Sequence, residues 1–148
     1  MDEPDASSPP DVVILGIGDL TQPILDALDD DHEVAVVTED PAVSKLVRDD
    51  LAVLDGDPSD DRVLSDAGVG SCRVVIVATE TDRFDALAIL SARDIAPSVR
   101  IVAAATNREN VAKLERAGAD AVISPASIGS RILVDSALKP ESGRDEGR

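Results

Sequence analysis

Branched apolar residues gather in six short runs: Val12–Leu15, Val34–Val37, Leu51–Leu54, Val74–Val77, Ile101–Ala103 and Ala121–Ile123. Each run is apolar on consecutive positions rather than on alternate ones. A strand with that pattern has both faces covered, the condition of a parallel sheet layered between helices. The stretches between the runs carry helix signals. Asp40-Pro41 and Asp57-Pro58 each offer a capping acid followed by proline at the favoured first helical position. Asp82 to Arg93 sets Leu87, Ile89 and Leu90 in a segment of helical length. Val111, Leu114 and Ala117 form a narrow stripe that Gly118 closes as a C-terminal cap. Ser127 to Leu138 places Ile128 and Ile132 one turn apart, followed by Val134 and Leu138. Strand–helix alternation with right-handed crossovers predicts a doubly wound α/β fold, six parallel strands in the order 3-2-1-4-5-6. A single domain over 11–138 accounts for the pattern. Residues 1–10 and 139–148, rich in Asp, Ser, Pro and charge, read as disordered ends.

Composition narrows the chemistry. The 148 residues suffice for one domain with a real core. Apolar residues make up 43% of them, yet Phe84 is the only ring besides His32, so Val, Ile, Leu and Ala must fill the core. Thirty acidic residues face fourteen basic ones, a net charge of −16, and lysine occurs only at Lys45, Lys113 and Lys139. The acids are spread along the chain, as in halophilic proteins, where molar salt shortens the Debye length to about 3 Å and screens self-repulsion. An acidic protein with basic partners is the competing explanation. On either one, nucleic acid and anionic membrane surfaces are poor partners, because phosphate binding needs a basic patch. Cys72 and His32 are each alone, which excludes an intramolecular disulfide and the usual zinc constellations. No signal-peptide core and no run near the ~18 apolar residues of a membrane span is present. The chain reads as soluble and cytoplasmic.

The first strand runs into Gly16-Ile17-Gly18 and then a helix, the right place for a Rossmann-type dinucleotide fingerprint. Gly16 permits the tight turn, and Gly18 lets a pyrophosphate approach the backbone. Thr21 stands where the third glycine belongs, so an ordinary strand-to-helix turn explains the motif equally well.

Over its whole folded part the chain resembles the N-terminal RCK domain of potassium channel and transporter regulators, also called TrkA-N or KTN. The matching stretches are VVILGIGDL, HEVAVVTEDP, VLDGDPSDDRVLSDAGV, VVIVATETD and VRIVAAATNRENVAKLERAGADAVISP. The last carries the most weight, with a strand, a loop at Asn107, a helix, Ala117-Gly118-Ala119-Asp120 and then VISP. The resemblance implies a homodimer formed through the last strand and helices, and NAD(H) or an adenine nucleotide bound at the first strand–helix turn. It implies a regulatory subunit that gates a separate membrane potassium channel or transporter. Many members carry a second, C-terminal domain, for which these 148 residues are expected to leave no room, and any ion pathway is expected to lie in another chain.

The site expected from this reading comprises Gly16, Ile17, Gly18, Asp19, Leu20, Thr38, Glu39, Asp57 and Thr79. Several of these depart from the family pattern. Thr38 replaces the usual acid for ribose hydroxyls, and Glu39, as a strand neighbour, is expected to point to the opposite face. Asp85 stands where asparagine is common, and Ala104 where an arginine often reaches phosphate. Asp19 reads as the N-cap of the following helix, a carboxylate where phosphate would sit. Asp57 and Thr79, at the ends of strands three and four beside the crevice, are expected to keep the adenosine side better than the phosphate side, an N-cap before Pro58 being the competing role of Asp57. The changes at Asp19, Thr21, Thr38, Asp85 and Ala104 together predict weak or lost nucleotide binding. No acid–base group is suitably placed for hydride transfer. His32 reads as a surface residue and Cys72 as a small filler, so the chain is expected not to be an enzyme. The alternatives are a degenerate Rossmann module that only dimerises or docks, and a small NAD(P)-dependent oxidoreductase.

Overall fold

A computed structural model describes residues 9–139. The described part forms a six-stranded, all-parallel sheet in the order β3-β2-β1-β4-β5-β6. Its elements run β1 (Val12–Leu15), α1 (Thr21–Ala27), β2 (Val34–Thr38), β3 (Ala52–Asp55), α2 (Asp61–Ala67), β4 (Val74–Val77), α3 (Asp82–Ile95), β5 (Arg100–Ala104), α4 (Val111–Ala117), β6 (Ala121–Ile123) and α5 (Pro125–Leu138). Short 3-10 turns cover Pro41–Lys45 and Arg108–Asn110. The strands pair in simple parallel register, Val13 with Ala35 on one side and Val75 on the other. Apart from Pro9, Pro10 and Lys139, the two expected disordered ends lie outside the described residues. Pro10 stands against Gly68, whose added Cβ would meet its Cδ at 2.8 Å.

Three helix starts differ from the sequence expectation. Asp40 does cap the segment after it, accepting from the Ala42 N–H at 2.9 Å, but that segment is a 3-10 turn and no α-helix develops. After Asp57 the helix is delayed to Asp61. Asp60 is the working cap, its carboxylate accepting from Arg62 and Val63 N–H groups, and Gly68 closes the helix in the left-handed conformation at φ +94°. Asp57 instead holds a tight turn, accepting from both the Ser59 N–H and its hydroxyl at 2.8 Å. The final helix begins two residues before Ser127, because Pro125 occupies the first turn, where its missing N–H costs nothing.

The two faces of the sheet are covered unequally. One packs Val13, Leu15, Val37, Val75, Val77, Ile101 and Ala103 against α2, α3 and α4 through Leu64, Ile89 and Leu114, all fully buried or nearly so. The opposite face has a smaller core of Val12, Ile14, Val34 and Val36 under Leu25 of α1. The expectation of strands buried on both faces holds for β1 and β2 and lapses toward the edges. β3 is mostly exposed because the connection before it is a 3-10 turn, too short to roof it. On β4–β6 the second face, carrying Ile76, Val102 and Ile123, is only partly covered, and Ile123 is 45% exposed. α5 does not return to that face and buries none of its residues.

Candidate functional site

The strand order reverses between β1 and β4, where successive connections leave toward opposite faces and open a crevice at the carboxyl ends of the strands. That crevice measures about 520 Å³. Gly16 and Ile17 form its floor, Thr38 to Asp40 with Asp57 to Ser59 one wall, and Thr79 to Thr81 with Phe84 and Asp85 the other. Of the residues expected from sequence, Gly16, Ile17, Thr38, Glu39, Asp57 and Thr79 are thus brought together. Gly18, Asp19 and Leu20 sit in the turn beyond its lining.

The turn is built by close backbone approach. Gly16 adopts φ +82°, and a Cβ there would lie 2.5 Å from Thr79 Cγ2, so glycine is required on both counts. Its N–H donates to the Val37 carbonyl at 2.8 Å, which ties the turn to β2. The Gly18 N–H donates to Thr21 Oγ1 at 2.8 Å, and Thr21 is buried. The residue replacing the third glycine therefore uses a loop donor as well as adding bulk.

Asp19 does not cap α1. The cap position is Leu20, half-buried and without any side-chain cap, and the Asp19 carboxylate is exposed. The carboxylate over this turn comes from Glu80, whose Oε2 accepts from the Asp19 N–H at 2.5 Å. The contact joins residues 61 apart in sequence, so no local signal announces it. Glu39 also corrects the expectation. Strand alternation ends at Thr38, and Glu39, one residue beyond, lines the same crevice. Buried Thr38 uses its hydroxyl to accept from the Asp40 N–H at 3.0 Å.

Two acids support the far wall. Asp85 is 1% exposed and accepts from the Thr79 hydroxyl at 2.6 Å and the Thr79 N–H at 3.1 Å. Burial pushes its carboxyl up to about 6 against the pull of those hydrogen bonds, with repulsion from Asp82 and Glu80 adding to the rise. Asp82 accepts from the N–H groups of Thr106 and Asn107 and from Asn110 Nδ2, at 2.8, 3.1 and 2.9 Å. Burial opposes its ionisation, but these donors prevail and hold it below the usual carboxylate value. Among the described residues the crevice lining carries Glu39, Asp40, Asp57, Glu80 and Asp85, with no Lys or Arg. Phe84, the chain's one Phe, Tyr or Trp, lines the crevice and stands 65% exposed. Its uniqueness in the composition was the available signal for it.

The remaining candidates fall elsewhere. Ala104 is half-buried on β5. Cys72 is half-buried, its thiol pushed up by burial and directed at the Val69 carbonyl at 3.4 Å. His32 is half-buried rather than a surface residue, with Nδ1 enclosed. Among the described residues no group of three or more His, Cys, Asp or Glu is arranged to hold a metal ion. Nor is any described helix long and apolar enough to cross a membrane.

With this geometry in hand, similarity to known proteins is informative. A family model described as the TrkA-N domain matches residues 12–125. The voltage-gated potassium channel Kch of Escherichia coli is 34% identical over 85 residues, covering 57% of this chain and 20% of the channel. A solved GsuK channel bound to NAD superposes with a TM-score of 0.70 at 25% identity, over 79% of this chain and 22% of the channel. A GsuK structure bound to ADP shares the fold with a TM-score of 0.79 at 24% identity, over 90% of this chain and 36% of that one. This chain therefore spans only about a fifth of the length of Kch.

Proposed function

The chain belongs to the TrkA-N domain family, and from that membership we propose that it is a regulatory nucleotide-binding module of a potassium-transport system. The ligand is NAD(H) or an adenine nucleotide, and the readout is a change of geometry passed to a separate membrane channel or transporter. The observation that carries this reading is the crevice at the reversal point of the sheet, where doubly wound folds bind nucleotides. Kch is a potassium channel by name, and GsuK has been solved with NAD, which makes both halves of the reading chemically concrete.

The polar groups behind the far wall of the crevice serve structure rather than catalysis. Thr79, Asp82 and Asp85 spend their polar atoms holding backbone and one another. A hydride-transfer site instead needs an acid or base free to meet the substrate. A second reading, a module that only dimerises or docks, is favoured by one observation: the Gly18 and Asp19 N–H groups are already engaged by Thr21 and Glu80. Calorimetric titration with NADH, NAD, ADP and ATP in molar KCl separates the two. Saturable binding supports the sensor, and its absence at millimolar ligand supports the docking module.

The acting unit in this proposal is a homodimer. α5 presents Ile128, Ile132, Leu133, Val134 and Leu138 at 52–79% exposure, an apolar load that a lone helix leaves in water. The thinly covered face of β4–β6 has matching chemistry, with Ile76 in register with Val102 and Ala104 with Ile123. A second copy that lays its α5 across this face satisfies both surfaces.

A further inference from the structure

Glu80 lies in the exposed turn between β4 and α3, yet its carboxylate reaches across the crevice to the β1–α1 turn. Oε2 accepts from the Asp19 N–H at 2.5 Å. A Cβ added at Gly18 would lie 2.5 Å from Oε2 and 2.8 Å from Oε1, so both oxygens rest directly over that glycine. The neighbouring Gly18 N–H is held by Thr21 Oγ1. A carboxylate seated on a loop amide, over a glycine that gives it room, is how such a turn holds an anion. Here the chain supplies the anion itself.

We propose that Glu80 sets the charge selectivity of the crevice by competing with the phosphates of an incoming nucleotide for the Gly18–Asp19 turn. The inference rests on the nucleotide-binding reading above. A ligand that brings phosphate to this turn must first turn Glu80 out, and the displaced carboxylate then remains near the other crevice acids, Glu39, Asp40, Asp57 and Asp85. A ligand without phosphate, using only the walls at Thr38, Asp57 and Phe84, meets no such competitor. The penalty therefore grows with the negative charge placed at the turn. Molar salt weakens the Coulomb part in a wet crevice but leaves the competition for space intact.

The test compares adenosine, AMP, ADP and NAD on the full chain, as parent, Glu80→Gln and Glu80→Ala. Glu80→Gln removes charge and keeps an acceptor; Glu80→Ala removes both. Affinity for ADP and NAD is expected to rise at least about fivefold more than affinity for adenosine, the effect of removing one like charge near 4 Å in water. Glu80→Ala should gain at least as much as Glu80→Gln. Equal gains for all four ligands, or none, would overturn the charge-selection role while leaving nucleotide binding standing. No binding of any ligand by any of the three proteins would overturn the nucleotide reading and this inference together. A ligand-free measurement keeps the two apart: the Asp19 amide should exchange hydrogen more slowly in the parent than in Glu80→Ala. Equal exchange would mean that the contact does not hold, and the inference alone would fall.

Discussion

Thr21 and Asp85 show how single residues in this crevice serve structure at the expense of ligand chemistry. The Thr21 hydroxyl satisfies the Gly18 N–H, a donor that a glycine at position 21 would leave open to phosphate. Asp85 fixes the Thr79 backbone and hydroxyl, and Thr79 in turn packs on Gly16, so the acid shapes the floor of the crevice from behind. Holding a buried carboxylate has a consequence for pH. Its value in the folded chain, about 6, lies above the ordinary 3.8, so the folded state keeps this proton where the unfolded chain has lost it. The Asp85 contribution to stability is therefore full below about pH 4, falls as pH rises toward 6, and is flat above. Asp85→Asn removes the ionisation. The amide oxygen still accepts from the Thr79 N–H, and the amide nitrogen donates to the Thr79 hydroxyl. The variant should exceed the parent in stability at pH 7.5 by on the order of 1–3 kcal/mol, and the difference should shrink at pH 4.5. Urea melts of both proteins at the two pH values check this. A difference that does not change with pH would show that Asp85 is not the titrating group.

At the scale of elements, a long side chain fastens the end of one helix to turns far away in sequence. Arg93, in the last turn of α3, donates to the Gly118 carbonyl through Nε and Nη2 at 3.1 and 2.7 Å. It also reaches the carbonyls of Pro97 and Val99 at 2.9 and 2.7 Å, and Asp120 Oδ2 at 2.9 Å. One guanidinium thus locks the end of α3, the entry to β5 and the turn from α4 to β6. Arg93→Met keeps the aliphatic stem and loses every donor. It should cost about 2–4 kcal/mol in a denaturant melt, several partly buried hydrogen bonds at roughly 1 kcal/mol each. A loss below about 0.5 kcal/mol would mean that water replaces the clamp. Neither this clamp nor Glu80 was legible in the sequence, and for the same reason: Arg93 meets Gly118 and Asp120 across 25 and 27 residues, and Glu80 meets Asp19 across 61. The legible part is local. Consecutive β-branched residues marked the central strands, and Gly118 marked the end of α4. The delayed start of α2 was missed because Asp57 and Asp60 both qualify as caps. Pairing with Ser59 drew Asp57 into a turn, and so onto the crevice wall. The crevice floor at Gly16 and Ile17 followed from the motif, whereas Glu80 arrives from the β4–α3 turn and Phe84 from the first turn of α3.

For the whole molecule, association and charge pull against each other. The exposed apolar row on α5 argues for a dimer, so truncation after Pro125 should convert it to a monomer by light scattering in high salt, and a monomeric parent under those conditions would overturn the assignment. The −16 charge, spread over thirty acids and only fourteen bases, opposes both folding and pairing. Arg48 offers little relief as a counter-charge, since it donates to the carbonyls of Leu25, Leu28, Asp29 and His32. Repulsion among exposed carboxylates must then be carried by the solvent. At about 0.1 M salt the Debye length is about 10 Å, and at about 1 M it shrinks to about 3 Å, so repulsion between exposed charges is largely screened. The melting midpoint should therefore be lower in about 0.1 M KCl than in about 3 M. The shape of the curve identifies the cause. Charge screening is nearly complete by about 1 M, so a screening effect rises steeply and then levels off, whereas strengthened apolar burial continues to climb with salt. A plateau near 1 M assigns the gain to the acidic surface, a steady rise assigns it to the small aliphatic core, and an equal or higher midpoint in dilute KCl refutes the halophilic reading of this chain.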